Sequence, residues 1–188
     1  NMVIEPCFEE EFFCQNFSEG LSGVKIDGKF GYIDKTGGWV INPEFQCANS
    51  FSEGLACVEV NGKWGYIDKK GTFVIPPIYG FSHSFSEGLA NVRYGEQEMF
   101  VDRTGRVAIM NEQFESFNFF NEGISGVFIE GKVGFINKDG QIIIEPKFGT
   151  FYCGYFSEGL AVVELIGKYG FIDKNGDIVI EPRYDAAL

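Results

Sequence analysis

Histidine is almost absent: His83 is the single imidazole in 188 residues. That leaves little for imidazole catalysis or for histidine-built metal sites. His83 lies in a variable linker, residues 80–84, where a solvated loop role is expected. Cysteine is sparse and odd in number, with Cys7, Cys14, Cys47, Cys57 and Cys153 and no Cys-x-x-Cys pair. A disulfide framework shows even counts, so free thiols in a reducing compartment, the cytoplasm, are the expectation. No apolar run approaches the roughly 18–20 residues that cross a membrane as a helix. Residues 1–6 have neither the basic nor the apolar region of a secretory leader and are not expected to act as one. Basic residues are outnumbered, 15 against 27 acids, for a formal net charge of −12. That field repels nucleic acid and anionic lipid, so neither is expected as a partner. No phosphate-cradling glycine loop occurs, and the recurrent Asp-x-x-Gly turns lack the further carboxylates of a calcium loop. No cofactor, no metal and no catalytic residue are therefore expected.

What is abundant is glycine, 25 residues, and aromatic side chains, including 21 Phe and 8 Tyr. Both suit a chain of many turns and strands. Self-comparison shows why. The segment Phe-Ser/Asn-Glu-Gly-Leu/Ile recurs at Phe17, Phe51, Phe85, Phe120 and Phe156. Each copy continues with a small residue and then Val, as in Ala56 and Val58. Gly-Lys follows in four copies, at Gly28, Gly62, Gly131 and Gly167. Next come Phe30-Gly31-Tyr32, Trp64-Gly65-Tyr66, Val133-Gly134-Phe135 and Tyr169-Gly170-Phe171. Then come the turns that start at Asp34, Asp68, Asp102, Asn137 and Asp173 and end on Gly37, Gly71, Gly105, Gly140 and Gly176. Each copy closes on an apolar triplet, usually followed by Pro-x-aromatic.

This pattern resembles the WG-repeat (KWG-repeat) family of bacterial proteins, over almost the whole chain. The fit is best at residues 62–71, where Gly-Lys-Trp-Gly-Tyr-Ile-Asp-Lys-Lys-Gly follows the family pattern throughout. The tryptophan itself occurs there alone; the other copies carry Phe30, Glu98, Val133 and Tyr169 in its place. The resemblance implies a tandem β-repeat protein without enzymatic activity and implies no particular ligand.

The residues predict the same architecture. Asp27-Gly28, Asn61-Gly62 and Glu130-Gly131 are two-residue connections able to take the positive φ of a type I′ hairpin. Asp-x-x-Gly caps its own amides and ends on a left-handed glycine. Each copy is thus expected to be a three-stranded antiparallel meander, in copy two Leu55 to Val60, Lys63 to Asp68 and Phe73 to Ile75. Trp64 and Tyr66 should face one side, Gly65 and Ile67 the other. Gly31, Gly65, Gly134 and Gly170 should mark a close approach of another backbone or ring. The closing triplets, such as Phe73-Val74-Ile75, are expected to be buried between neighbouring copies. A meander of about 34 residues is too small to fold alone, so the copies must stack. The chain reads as one all-β repeat domain over residues 1–188. Residues 1–16 are a leading strand and cap, and the copies span 17–50, 51–84, 85–119, 120–155 and 156–188. An open, twisted array is preferred over a five-bladed closed propeller, because copy five already holds its own closing strand.

Residues that recur in every copy read as scaffold. The Ser-Glu pairs, such as Ser52-Glu53, should cap turns and meet a Lys of a neighbouring copy. Residues that break the repeat are the candidates for recognition. Copy three reads Tyr94-Gly95-Glu96-Gln97-Glu98-Met99-Phe100, with Glu98 for the aromatic and Met99 for the glycine, and it lacks the closing Pro. The longest linkers add Glu9, Glu10, Glu11 and Phe12 at one end and Phe151 and Tyr152 near the other. Glu9, Glu10, Glu11, Phe12, Glu96, Glu98, Phe151 and Tyr152 are thus the expected partner-binding edge. Glu96 and Glu98 should both be exposed. The expected function is a protein-interaction scaffold for a basic protein, with neutralisation of a toxin as a specific form. The alternative is a carbohydrate or cell-wall binder, which requires exposed rings among Trp39, Trp64, Tyr66 and Tyr152.

Overall fold

The computed structural model describes residues 16–149 and 155–186. Its described residues form strands and turns only, in five small antiparallel sheets that follow one another along the chain. The first sheet holds β1 (Leu21–Ile26), β2 (Lys29–Asp34) and β3 (Trp39–Phe45). The second holds β4 (Cys47–Ala48), β5 (Ala56–Val60), β6 (Lys63–Ile67) and β7 (Phe73–Tyr79). In the third are β8 (Phe81–Ser82), β9 (Leu89–Tyr94), β10 (Gln97–Asp102) and the short β11 (Val107–Ile109). The fourth contains β12 (Ser116–Phe117), β13 (Ile124–Ile129), β14 (Lys132–Asn137) and β15 (Ile142–Phe148). The last contains β16 (Phe156–Ser157), β17 (Leu160–Leu165), β18 (Lys168–Ile172) and β19 (Ile178–Tyr184). The expected three-stranded meander is present in every copy. In four copies the linker before it adds a two-residue fourth strand on the inner edge.

The turns follow their residues. Asp27 and Gly28 have φ of 49° and 76°, and Asn61 and Gly62 have 52° and 72°, the double positive φ of type I′. Copy three differs: Gly95 alone has positive φ, 62°, which makes its two-residue turn type II′. At the second turn the Asp34 carboxylate accepts hydrogen bonds from the N–H groups of Thr36 (2.8 Å) and Gly38 (3.1 Å), and Gly37 has φ of 83°. A third tight turn lies at the Ser-Glu pairs, where a turn is expected. Ser18 and Leu21 bridge across Glu19-Gly20, and every copy repeats this with a glutamate in the left-handed region, φ between 51° and 54°.

The glycine of the middle strand is explained by its own sheet. After Ile75 the third strand bulges at Pro76-Pro77 and crosses the middle strand, so a Cβ on Gly65 would lie 2.7 Å from the Ile75 carbonyl oxygen and the Pro77 nitrogen. The alternation is as expected. Tyr66 and Trp64 pack forward on Phe85, Ala90 and Val92 of copy three, whereas Ile67 packs back on copy one with Ala56 and Val58. Four hydrophobic cores result, one between each pair of consecutive sheets.

The array is open at the fifth sheet. A closed ring would bury its forward face, yet Tyr184 is 39% exposed and Ile180 half-buried, where Phe45, Tyr79, Phe148 and Ile41 are buried. The closing triplets depart from expectation. Only their third residue is buried (Ile41, Ile75, Ile109 and Ile144); Trp39, Val40, Phe73, Val74, Ile142 and Ile143 are exposed. The first two residues lie on the edge strand just past the turn, where the neighbouring sheet covers them only in part: Phe73 meets Phe45 of the first sheet edge-on, ring centroids 6.4 Å apart, and stays exposed.

Two substitutions test this frame. Gly176 has φ of 83°, and a Cβ there would lie 2.9 Å from Cγ2 of Ile144 in the preceding copy. Gly176→Val should lower the melting temperature sharply, by several degrees or more, from backbone strain and a clash at once; an unchanged melting temperature refutes the assignment. Ile166 occupies the same turn position as Asp27 with φ of 53° and a fully exposed side chain. A β-branched residue there is strained by roughly 1 kcal/mol, so Ile166→Asn should raise the thermal midpoint in calorimetry.

An acidic notch in the third copy

The repeated polar residues hold copy to copy. Ser18, Ser52 and Ser86 each donate from Oγ to a carbonyl of the next copy, that of Phe51 (2.6 Å), Phe85 (2.7 Å) and Phe120 (2.6 Å). The serines thus bridge copies and do not cap turns, because the tight turn aims their hydroxyls at the following sheet. The glutamates beside them accept the next glycine N–H: Glu19 from Gly54, Glu53 from Gly88, Glu87 from Gly123 and Glu122 from Gly159, each at 3.0 Å in its shorter contact. Three of them also meet the next copy's lysine at 3.0 Å, Lys69, Lys138 and Lys174 respectively for Glu19, Glu87 and Glu122. These pairs are half-exposed, so each ion pair contributes no more than about 1 kcal/mol. Lys174 and the Gly159 N–H hold the Glu122 carboxyl below its usual 4.5.

Against this uniform scaffold copy three stands apart. In the other four copies the third strand returns after its bulge and pairs again with the middle strand, as Phe30 with Phe45, Trp64 with Tyr79, Val133 with Phe148 and Tyr169 with Tyr184. In copy three pairing ends at Phe100 with Ile109, and β11 stops there. Met99 stands where the others have glycine; its Cβ occupies the space that the crossing strand needs. The chain instead turns away at Met110, and the Phe114 N–H bonds the Asn111 carbonyl at 3.0 Å. Phe114 then drops into the core shared with copy four, beside Phe100, Phe117 and Phe120.

The diversion opens a notch of about 330 Å³ lined by Glu96, Gln97, Glu98, Met110, Asn111, Glu112, Phe114 and Glu115. Four carboxylates rim it, and among the described residues no ion pair neutralises any of them. Glu96 is exposed as expected, at the hairpin tip. Glu98, expected to be exposed, is half-buried: its Oε2 accepts a long bond (3.4 Å) from Nδ2 of buried Asn91, since it fills the site of a core-facing aromatic. The Glu115 carboxylate accepts the Glu130 N–H at 3.0 Å. Met110, 52% exposed, supplies an apolar floor element. Glu98 also reaches His83, an exposed residue whose ring stands edge-on to Phe81; desolvation holds its imidazole below the usual 6.5, and the charge of Glu98 pulls the other way.

Of the expected edge, the structure therefore brings Glu96 and Glu98 together. Glu9, Glu10, Glu11, Phe12, Phe151 and Tyr152 lie outside the described residues. Glu112, Glu115, Met110 and Phe114 were missed. Their signal was the joint loss of glycine and proline in one copy, which frees the linker to fold back beside the middle strand. Of the rings that a sugar would need, Tyr66 is fully buried and donates its hydroxyl to the His83 carbonyl at 2.7 Å. Trp64 is half-buried and lines a separate hollow of about 280 Å³ with Lys25, Phe30 and Asn49. Trp39 is exposed on the outer edge.

The fold and its stapled copies define a tandem β-repeat protein. The profile of the WG containing repeat matches residues 1–30, 30–64, 64–97, 134–169 and 169–188. The chain belongs to the WG-repeat family. The unmatched stretch, residues 98–133, begins at Glu98 and includes most of the notch. No curated protein matches the chain. Among solved structures it is similar to Kluyveromyces lactis Hsv2p, at 8% identity and a TM-score of 0.59, over 86% of this chain and 61% of that one. It is also similar to a eukaryotic initiation factor, at 9% identity and 0.54, over 88% and 52%. A third is the extracellular domain of a putative hybrid two component system from B. thetaiotaomicron, at 12% and 0.51, over 90% and 28%. The chain thus spans less than two thirds of each, and at such identities the likeness is one of fold, with β-propeller-like neighbours.

The linkage of Glu122 gives a further test. Its folded-state value is depressed, so its contribution is present above the unfolded value and is lost as pH falls through the folded one. The stability gap between wild type and Glu122→Gln should be open at neutral pH and close on acidification, as read by denaturant melts. A gap that ignores pH refutes the staple.

Proposed function

We propose that this chain is a non-enzymatic interaction scaffold whose third copy receives a basic segment of a protein partner in the acidic notch. The observation that carries the reading is the departure of one copy from four otherwise equivalent ones. Glycine, aromatic and proline are all replaced there, and the result is a cavity rimmed by four carboxylates on a scaffold that elsewhere pairs three of its four interface glutamates with lysine. A lysine or arginine entering it meets charge that no ion pair among the described residues compensates. At about 4 Å and an effective dielectric near 20, one such contact is attractive by about 4 kcal/mol before desolvation is subtracted. The net charge of −12 adds a long-range field that steers a cationic protein toward the surface.

Glu96 and Glu112 are both exposed, so charge reversal there tests recognition without disturbing the core. With the cationic partner, Glu96→Lys/Glu112→Lys should slow association about tenfold at low salt and leave the melting temperature within a degree or two. The difference should shrink above ~0.15 M salt, where the Debye length is about 8 Å. An association rate that ignores both the reversal and salt refutes the reading.

A further inference from the structure

We infer that the notch takes its ligand as an added β-strand: an extended basic peptide of the partner pairs with the outer edge of β10 at Glu98. This rests on the acidic-notch reading and adds the mode of binding. The argument comes from the other four copies. There the residue at the position of Glu98 is the one whose main chain pairs outward, with Phe45, Tyr79, Phe148 or Tyr184. In copy three Tyr94 and Gln97 face each other across the two-residue turn, so their polar groups point inward to the hairpin. The next residue, Glu98, turns its N–H and carbonyl outward, beyond the last pairing of β10 with β11. Among the described residues this stretch of sheet edge is unpaired, and it lies in the same place as the uncompensated carboxylates.

The chain cannot close this edge itself in the manner of its neighbours. The return of the third strand needs a bulge that leaves 2.6–2.7 Å to a Cβ at Gly31 or Gly65, and copy three has Met99 there, buried in the core with copy two. A peptide from outside needs no bulge; it can run straight past Glu98 without crossing Met99. No proline of β10 blocks this edge, so its main chain is free to pair. The chemistry of the occupant follows from the lining. A strand alternates sides, so a peptide alternating Lys or Arg with apolar residues sets its charges against Glu96, Glu98, Glu112 and Glu115. Its apolar side chains then meet Met110 and Phe114.

The test uses the full chain and a blocked eight-residue peptide alternating Lys and Val, with affinity read by fluorescence anisotropy at low salt. Glu98→Gln removes the charge and keeps the N–H; Glu98→Pro removes both, on the side of the strand where proline spares the inner ladder. Strand addition predicts that Glu98→Pro binds at least about tenfold more weakly than Glu98→Gln. It also predicts that N-methylation along the peptide abolishes binding at alternate amides only. Equal affinities for the two variants together with uniform tolerance of N-methylation overturn strand addition. If salt and the Glu96→Lys/Glu112→Lys reversal still weaken binding in that case, the acidic-notch reading survives it. Binding that ignores salt and the reversal overturns that reading, and no binding to the wild type overturns both. Should Glu98→Pro lose its fold by circular dichroism, the N-methyl scan decides alone.

Discussion

A three- or four-stranded sheet of about 34 residues cannot bury its own apolar faces, and everything else in this molecule follows from how that shortfall is met. Each sheet lends its forward face to the next: Tyr32, Ile41 and Phe45 are covered by Ala56, Val58 and Ile67, and the arrangement repeats down the array. The polar residues of the repeat serve the same junction. A glutamate in the left-handed region is an unfavourable choice in isolation. Here its backbone is held by the tight turn while its carboxylate binds an amide of the following copy, so the local cost is offset by a bond between sheets. The folding unit is accordingly the junction between copies and not the copy itself.

Copy three shows how much the junction tolerates. Proline and glycine act together: the bulge brings the third strand across the middle one, and only a residue without Cβ admits it. Once Met99 stands there the strand must leave, and the closing aromatic leaves with it. The forward core is nonetheless complete, because Phe114 arrives from the diverted linker and sits beside Phe117 and Phe120. Burial is conserved while the path of the chain is not. Backbone and charge are released by that rerouting, at no loss to the core.

Much of this was legible in the sequence. Periodicity, turn chemistry and the small-x-Val pattern sufficed for five stacked antiparallel sheets, because each signal is local and repeated. The close approach at Gly65 was legible too, although its partner, the sheet's own third strand, was not. The reading of the triplets failed for Trp39-Val40 and Phe73-Val74 because hydrophobicity alone does not reveal whether a neighbour reaches far enough out to cover an edge strand. The role of the serines was misjudged for a related reason: a hydroxyl beside a tight turn has partners within the turn and in the next sheet, and only the stacking geometry decides. At the site, Glu96 and Glu98 stood out by breaking the pattern, whereas Glu112 and Glu115 lay in an ordinary-looking linker. Their place depends on a strand that ends early, which is a property of two sheets at once.

The uncovered forward face of the fifth sheet has a consequence for how the molecule comes apart. Coupling runs only between nearest neighbours, so an interior sheet is secured by two junctions and the first and fifth sheets by one each among the described residues. Loss of either terminal sheet sacrifices a single core and exposes the next sheet in its turn, so unfolding runs from the ends inward. Amide protection should therefore peak in the middle copies and fall toward both ends, with the array behaving as a zipper that frays at its two outer sheets.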